Sequence, residues 1–250
     1  MSRGELAGSR ALVTGASRGI GAAIAVELAA RGAEIVGTAR RMTAATEVRD
    51  AVIAAGVEFT ALDRDLASRD DTDSLVRALQ PRGVDILICN AGLAERNPAE
   101  EFTDEQWDSV LEVDLTAQFR LARELGAGML DRGSGRIVFV ASMMTFQGGR
   151  NVISYTAAKS AIAGVVHGLA NEWAGRGVNV NAVAPGYVET DLTSATHGDP
   201  QRRLATQGRI PAGRWGTPRD IAGPVAFLAS PAADYVHGVV LPVDGGWLVR

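Results

Sequence analysis

Short apolar runs of β type alternate along the chain with longer stretches whose apolar positions recur at helical spacing. The runs are Ala11-Leu12-Val13, Ile35-Val36, Val57-Glu58-Phe59, Val84 to Cys89, Ile137 to Val140, Val178 to Val183 and Val239 to Val243. Between them the pattern predicts helices near 19–31, 43–55, 70–80, 103–131, 154–175 and 217–229. Such alternation specifies a parallel sheet with helices on both faces. Right-handed crossovers then give a doubly wound, seven-stranded α/β fold that binds ligands at the carboxyl ends of its strands. Two helix starts are legible. Thr103-Asp104-Glu105-Gln106 is a capping-box pattern, and Thr217-Pro218-Arg219-Asp220 offers an N-cap, a proline at the first helical position and an early acid. The stretch 187–216, rich in Thr, Gly, Asp and Pro, reads as an irregular lid over the site.

At 250 residues, with no repeat or linker-like stretch, the whole of 1–250 reads as one domain. A hydrophobic share of 46% against 22% charged residues fits an ordinary globular protein. The opening Met1-Ser2-Arg3-Gly4-Glu5 lacks a basic-then-apolar secretory pattern, and no apolar run reaches the roughly 18 residues that span a bilayer. A cytoplasmic protein without a membrane partner is expected. The single cysteine, Cys89, has no partner for a disulfide and no neighbours at metal-ligand spacing, so no metal is expected. A net charge of -4 gives no electrostatic reason to expect nucleic acid.

Directly after the first run comes Thr14-Gly15-Ala16-Ser17-Arg18-Gly19-Ile20-Gly21, opening the first helix. Gly15 permits a tight turn, Gly19 lets backbone approach a diphosphate, and Gly21 lets the helix pack on the sheet. The helix N-terminus then offers unpaired N–H groups and a positive dipole end to an anion. A turn whose glycines are purely structural has the same pattern, so the motif alone leaves both readings open.

A second constellation is Tyr155 and Lys159, with Ser142 thirteen residues before the tyrosine at the end of the fifth strand. Tyr and Lys at i and i+4 share one helix face, so the ammonium can lie beside the phenol. A free phenol titrates near about 10, and lowering that by about 2–3 units requires roughly 3–4 kcal/mol in favour of tyrosinate. A neighbouring cation works in that direction and burial opposes it. The Ser142 and Tyr155 hydroxyls can together hold a carbonyl or alkoxide oxygen.

Taken in order, TGASRGIG at 14–21, Asp65-Leu66, Asn90-Ala91-Gly92, Ser142, Tyr155/Lys159, Pro185-Gly186-Tyr187-Val188-Glu189-Thr190 and Val243-Asp244-Gly245-Gly246 resemble the short-chain dehydrogenase/reductase family from about residue 8 to the end. The resemblance implies a single Rossmann-like domain and an NAD(P)-dependent oxidoreductase acting on CH–OH groups. It implies diphosphate contacts from Gly15, Ser17, Arg18, Gly19, Ile20 and Gly21, and adenine contacts from Asp65 and Leu66. Asn90, Ala91 and Gly92 would lie by the cofactor ribose. Tyr155 would be the acid/base and Lys159 would hold the nicotinamide ribose. Pro185, Gly186, Val188 and Thr190 would line the carboxamide. Family members usually form homotetramers through the long helices near 115–131 and 154–175 and the C-terminal segment. The face Ala158, Ala161, Ile162, Val165 and Leu169 is apolar enough for such a contact or for packing on its own sheet.

One departure stands out. The family slot for a helix asparagine, whose backbone carbonyl holds a relay water, is occupied by Asp114. The aspartate can keep the helix kink while its carbonyl does that work, or its carboxylate can alter the ionisation of the whole site. Cofactor choice is read from Ala39-Arg40-Arg41, at the end of the second strand. An acid that would bind a ribose diol and repel a 2′-phosphate is missing, and Arg40 follows, so NADP(H) is expected ahead of NAD(H). Stretches around Ser142, Asn171-Glu172-Trp173, 209–216 and the tail resemble dehydrogenases of gluconate, 2-deoxy-gluconate and 2-keto-3-deoxygluconate. A sugar acid calls for a cation and hydroxyl or amide partners, which Arg96, Met144, Gln147, Arg150 and Asn151 would frame. A 3-oxoacyl carrier-protein reductase and a weakly catalytic dinucleotide-binding sensor or scaffold are the alternatives, and the intact Ser/Tyr/Lys set favours a working enzyme.

Overall fold

Successive side chains of the central strands point into two different cores. In the computed structural model, which describes residues 4–250, Ala11 and Val13 face one cluster and Leu12 the other. The same split places Ile86 and Ile88 opposite Leu87 and Cys89, and Val138 opposite Ile137 and Phe139. A period of two feeding two buried faces is what makes these runs apolar throughout.

The strands are β1 (Arg10–Thr14), β2 (Glu34–Ala39), β3 (Phe59–Asp63), β4 (Ile86–Cys89), β5 (Gly135–Val140), β6 (Val178–Pro185) and β7 (Val240–Val243). They form one parallel sheet in the order β3-β2-β1-β4-β5-β6-β7. On one face α1 (Gly19–Ala30) packs between α2 (Thr46–Ala54) and α9 (Pro218–Leu228). The other face carries α3 (Arg69–Leu79), α4 (Asp104–Leu111), α5 (Ala117–Arg132) and α6 (Ile153–Trp173), with α7 (Ser194–His197) and α8 (Pro200–Gln207) lying beyond β6. Among the described residues no helix is long and apolar enough to cross a membrane.

Three sequence expectations need adjustment, and one open alternative is decided. The third strand lies at Phe59–Asp63 rather than 57–59, because Phe59 pairs with Ile35 and the edge strand tolerates Thr60 and Asp63. The helix expected over 103–131 is broken by a π turn at Glu112–Thr116, between α4 and α5. The stretch 187–216 is not irregular throughout, since it contains α7 and α8. Asp199 caps α8 by accepting from the N–H groups of Gln201 (2.9 Å) and Arg202 (3.2 Å), with Pro200 at the first position. Ala158, Ile162 and Leu169 are buried within the chain itself, and Ile162 and Leu169 join the core under β5 and β6. Both legible helix starts form their capping boxes, Thr103 with Gln106 and Thr217 with Asp220.

Helix α1 approaches the sheet at Gly21, where a Cβ would stand 2.2 Å from the Gly15 carbonyl oxygen and 2.5 Å from Asn90 Nδ2. Backbone cannot yield there cheaply. Gly21→Ala should therefore cost about 1–3 kcal/mol of stability through overpacking, despite alanine's better helix propensity. Thermal unfolding followed by circular dichroism should give a lower Tm, and an unchanged midpoint would mean that the turn gives way.

Candidate active site

The sheet reverses its winding between β1 and β4, so the chain leaves their carboxyl ends in opposite directions and a crevice opens there. The turn after β1 forms one wall. Gly15 and Gly19 have φ of 66° and 58°, in the left-handed region that glycine occupies without strain. Arg18 precedes α1 in an extended conformation and supplies no side-chain cap, and the first turn of α1 contains no acid. The first N–H groups of the helix are thus left for an anion. The turn is bolted to β4: Thr14 Oγ1 accepts from the N–H groups of Asn90 (2.9 Å) and Ala91 (3.0 Å), and Asn90 Nδ2 donates to the Thr14 carbonyl (2.9 Å). Beside the turn lies a cavity of about 450 Å³ lined by Ser17, Arg18, Gly19 and Ala44 to Val48. The uncapped N–H groups, the crowding that excludes a Cβ at Gly21 and this cavity suit the diphosphate of a dinucleotide.

The other predicted cofactor residues line the same edge. Asp65 and buried Leu66 follow β3, the Asp65 N–H donating to Asp71 Oδ2 at 2.8 Å. Pro185 ends β6 and Gly186 follows. Val188 is buried, and its carbonyl accepts from Thr193 Oγ1 at 2.6 Å, so Thr193 braces the loop that carries Thr190. Thr193 went unrecognised in the sequence, where it is one of several threonines in a loop. Arg18 reaches across the crevice to Asp191 at 3.0 Å rather than towards the end of β2. Arg40 is exposed and forms no hydrogen bond or ion pair among the described residues. Close by, Arg64 follows β3 with a buried Nε that has no partner.

At the ends of β4 and β5 the polar side chains converge. Ser142, buried, begins the loop after β5, and its Oγ accepts from the Met144 N–H at 3.2 Å. Tyr155 and Lys159 rise from the first turns of α6, with the ammonium 5.6 Å from the phenol ring centre. Lys159 Nζ donates to the Val140 carbonyl at 3.0 Å and lies 3.2 Å from Asp114 Oδ2. Asp114 is fully buried in the π turn, and its Oδ1 accepts from the Leu93 N–H at 2.8 Å. A Cβ at Gly92 would meet Asp114 Oδ2 at 2.9 Å. Gln118 Nε2 donates to the Ala91 carbonyl at 2.6 Å, so Asp114 and Gln118 together hold the segment 91–93.

This ion pair governs ionisation. Burial alone would lower the Lys159 pKa, but Asp114 and Tyr155 outweigh it and raise it, so the side chain stays an ammonium. Burial pushes the Asp114 carboxyl above its ordinary range, partly offset by Lys159 and the Leu93 N–H. The Tyr155 phenol is raised, not lowered as the Tyr/Lys spacing suggested. Burial is the main cause, and Asp114 adds to it against the pull of Lys159, Ser142 and Arg96. Burial pushes the Cys89 thiol well above its ordinary range, so it stays protonated and inert.

The remaining predicted residues spread around this centre. Arg96 is exposed, yet near enough to act on the phenol. Asn151 has a φ of 60°, and its carbonyl accepts from the Asn97 N–H at 3.1 Å, tying two rim loops together. Arg150 is exposed and makes no polar contact among the described residues. Met144 packs against a cluster of Met143, Tyr187, Ile210, Trp215 and Trp247, and Gln147 Oε1 accepts from the Trp247 indole N–H at 3.3 Å. Sequence reading placed Gln147 near the site but missed Trp247, whose signal was only one more aromatic in the tail.

Residues 15–248 match a family model described as enoyl-(acyl carrier protein) reductase. The chain is 48% identical over 250 residues to a 2-dehydro-3-deoxy-D-gluconate 5-dehydrogenase of Pseudoalteromonas atlantica, covering 98% of each chain. A crystal structure from Beutenbergia cavernae, described as a candidate NAD(P)-dependent gluconate 5-dehydrogenase with bound NADP at low occupancy, is 49% identical with a TM-score of 0.94 over 98% of both chains. A gluconate 5-dehydrogenase from Burkholderia cenocepacia in complex with NADP and tartrate is 34% identical with a TM-score of 0.92, covering 98% of this chain and 97% of that one.

Because Asp114 raises the Tyr155 pKa and Asn would keep its size without its charge, Asp114→Asn should move the phenol's titration to lower pH. Tyrosinate absorbance near the alkaline end of a pH titration, corrected with Tyr155→Phe, reads this directly. A titration that does not move would mean that the carboxylate acts only by filling space.

Proposed function

The chain belongs to the short-chain dehydrogenase/reductase family, and from that premise we propose that it transfers a hydride between NADP(H) and a hydroxyl or keto group of a sugar acid of the gluconate or 2-keto-3-deoxygluconate type. The observation that carries the proposal is the convergence of Ser142, Tyr155 and Lys159 beside an uncapped, glycine-bounded helix N-terminus. The relatives' names, and the tartrate and NADP in one neighbour, support the substrate class and cofactor.

The bound nicotinamide would supply or accept the hydride. Gly15, Ser17, Arg18, Gly19, Ile20 and Gly21 would hold the diphosphate, with Asp65 and Leu66 at the adenine and Asn90, Ala91 and Gly92 by the ribose. Pro185, Gly186, Val188 and Thr190 would line the carboxamide. Tyr155 would give its phenolic proton to the carbonyl oxygen in reduction and take it back in oxidation, while the Ser142 hydroxyl donates a hydrogen bond to the same oxygen. Lys159 would hold the nicotinamide ribose and draw the phenol towards tyrosinate. Asp114 keeps Lys159 charged but raises the phenol, which suits proton donation and hence carbonyl reduction near neutrality. Arg96, Met144, Gln147, Arg150 and Asn151 would surround the rest of the substrate.

A homotetramer belongs to the same proposal. The outer face of α6 is open at Gly164 and Gly168, where a Cβ would meet nothing, and Trp107 and Phe119 are exposed on α4 and α5. A cytoplasmic location fits a chain whose one cysteine is buried and unpaired.

Tyr155→Phe should lower turnover by about 10²–10⁴-fold in stopped-flow or steady-state assays while leaving NADPH affinity nearly intact. Lys159→Ala should damage both turnover and NADPH affinity. A wild-type rate for Tyr155→Phe on the true substrate would refute the assigned acid/base. NADPH should be preferred over NADH by at least about tenfold in kcat/KM, equivalent to about 1.4 kcal/mol, and Arg40→Ala should remove most of that preference. A preference for NADH would show that Arg40 does not read the 2′-phosphate. Light scattering should give a tetramer mass, and a monomer at micromolar concentration would contradict the assembly.

A further inference from the structure

The C-terminal tail folds back onto the loop that follows Ser142. Its position is over-determined. Asp244 accepts from the Gly246 N–H at 2.8 Å and the Leu248 N–H at 2.9 Å, and the Ala212 N–H donates to the Gly245 carbonyl at 3.0 Å. A Cβ at Gly245 would lie 2.8 Å from Ile210, so the tail is in close contact with the strap 208–217 that precedes α9. These contacts fix Trp247, which is buried, edge-on to Tyr187 at 4.8 Å and capped by the Arg209 guanidinium 4.1 Å from its ring centre.

The indole N–H of Trp247 can only donate. It therefore selects one orientation of the Gln147 carboxamide, with Oε1 turned to the indole at 3.3 Å and the Nε2 amino group turned away. Among the described residues that amino group has no acceptor, and Arg209, exposed, has no acidic partner. One ring thus holds two side chains that have donors to spare, the Gln147 carboxamide through its N–H edge and the Arg209 guanidinium over its face. The cluster that holds this ring includes Met143, the residue after Ser142, and so borders the site. Two donor-bearing side chains gathered on one ring, neither with an acceptor, are complementary to a carboxylate.

Resting on the sugar-acid reading above, we propose that Gln147 and Arg209 bind the substrate's carboxylate and that Trp247 is the positioning residue that aims Gln147 at it. Trp247→Phe keeps the ring against Tyr187 and under Arg209 but removes the donor that orients Gln147. With NADP⁺, kcat and KM would be measured on D-gluconate and on the uncharged D-glucitol for wild type, Trp247→Phe, Gln147→Leu, Arg209→Met and the Trp247→Phe/Gln147→Leu double variant. Trp247→Phe should raise KM for gluconate by roughly tenfold with kcat held within about twofold, the split expected when binding rather than chemistry is lost. Arg209→Met should do the same, and glucitol should be affected far less. The double variant should match Gln147→Leu alone, because the tryptophan acts through the glutamine. Additive losses, equal losses on glucitol, or a gluconate KM that responds only to Arg96→Met would overturn the assignment. A wild-type enzyme that neither turns over nor binds gluconate or 2-keto-3-deoxygluconate, by assay and by calorimetry of the cofactor complex, would overturn the sugar-acid reading together with it.

Discussion

The reversal of strand order between β1 and β4 is the constraint on which the rest of the molecule depends. Because every strand runs the same way, all the loops that carry chemistry leave at one edge of the sheet. Because the chain turns one way after β1 and the other way after β4, no helix fills the space between those ends. Thr14 and Asn90 then lock the two strand ends together across that gap. The glycine turn and the segment after β4 are thereby joined by hydrogen bonds into one wall.

Within that wall the dominant interaction is the buried pair of Asp114 and Lys159. Two charges removed from water cost several kcal/mol each, and their attraction offsets this only when the remaining polar atoms are also paired. Here the Leu93 N–H and the Val140 carbonyl do much of that work, although Asp114 Oδ2 has no hydrogen bond beyond its ion pair. The π turn explains how a carboxylate reaches this spot, since the wider turn brings Asp114 inward while α4 and α5 keep their own hydrogen bonding. A site with both charges present is close to neutral, whereas an amide in place of Asp114 would leave it cationic. Burial is the main reason the phenol is raised despite an ammonium alongside, and the Asp114 charge adds to it.

The tail contributes a different kind of order. The cluster of Tyr187, Trp215 and Trp247 joins the loop after β6, the strap before α9 and the C-terminus into one apolar wall. Its polar output is small, a single indole N–H, but that donor decides which end of Gln147 is turned to the ring.

Much of this was determined by the sequence alone. Strand and helix alternation, the glycine turn, the capping box at Thr103, the N-cap at Thr217, and the Ser142, Tyr155 and Lys159 set are local patterns, and local sterics and periodicity act whatever the rest of the chain does. The start of β3, the break at Glu112–Thr116 and helix α8 were not legible in the same way, because an edge pairing and a packing-driven turn override propensity. The cap at Asp199 lies within a stretch dominated by loop residues, which hid the helix start. Only the tertiary structure decided that Arg18 turns to Asp191, that the phenol is raised, and that Trp247 holds Gln147 from a hundred residues away. Those outcomes depend on burial and on which polar atoms packing brings within hydrogen-bond reach, and neither quantity exists until the elements have met.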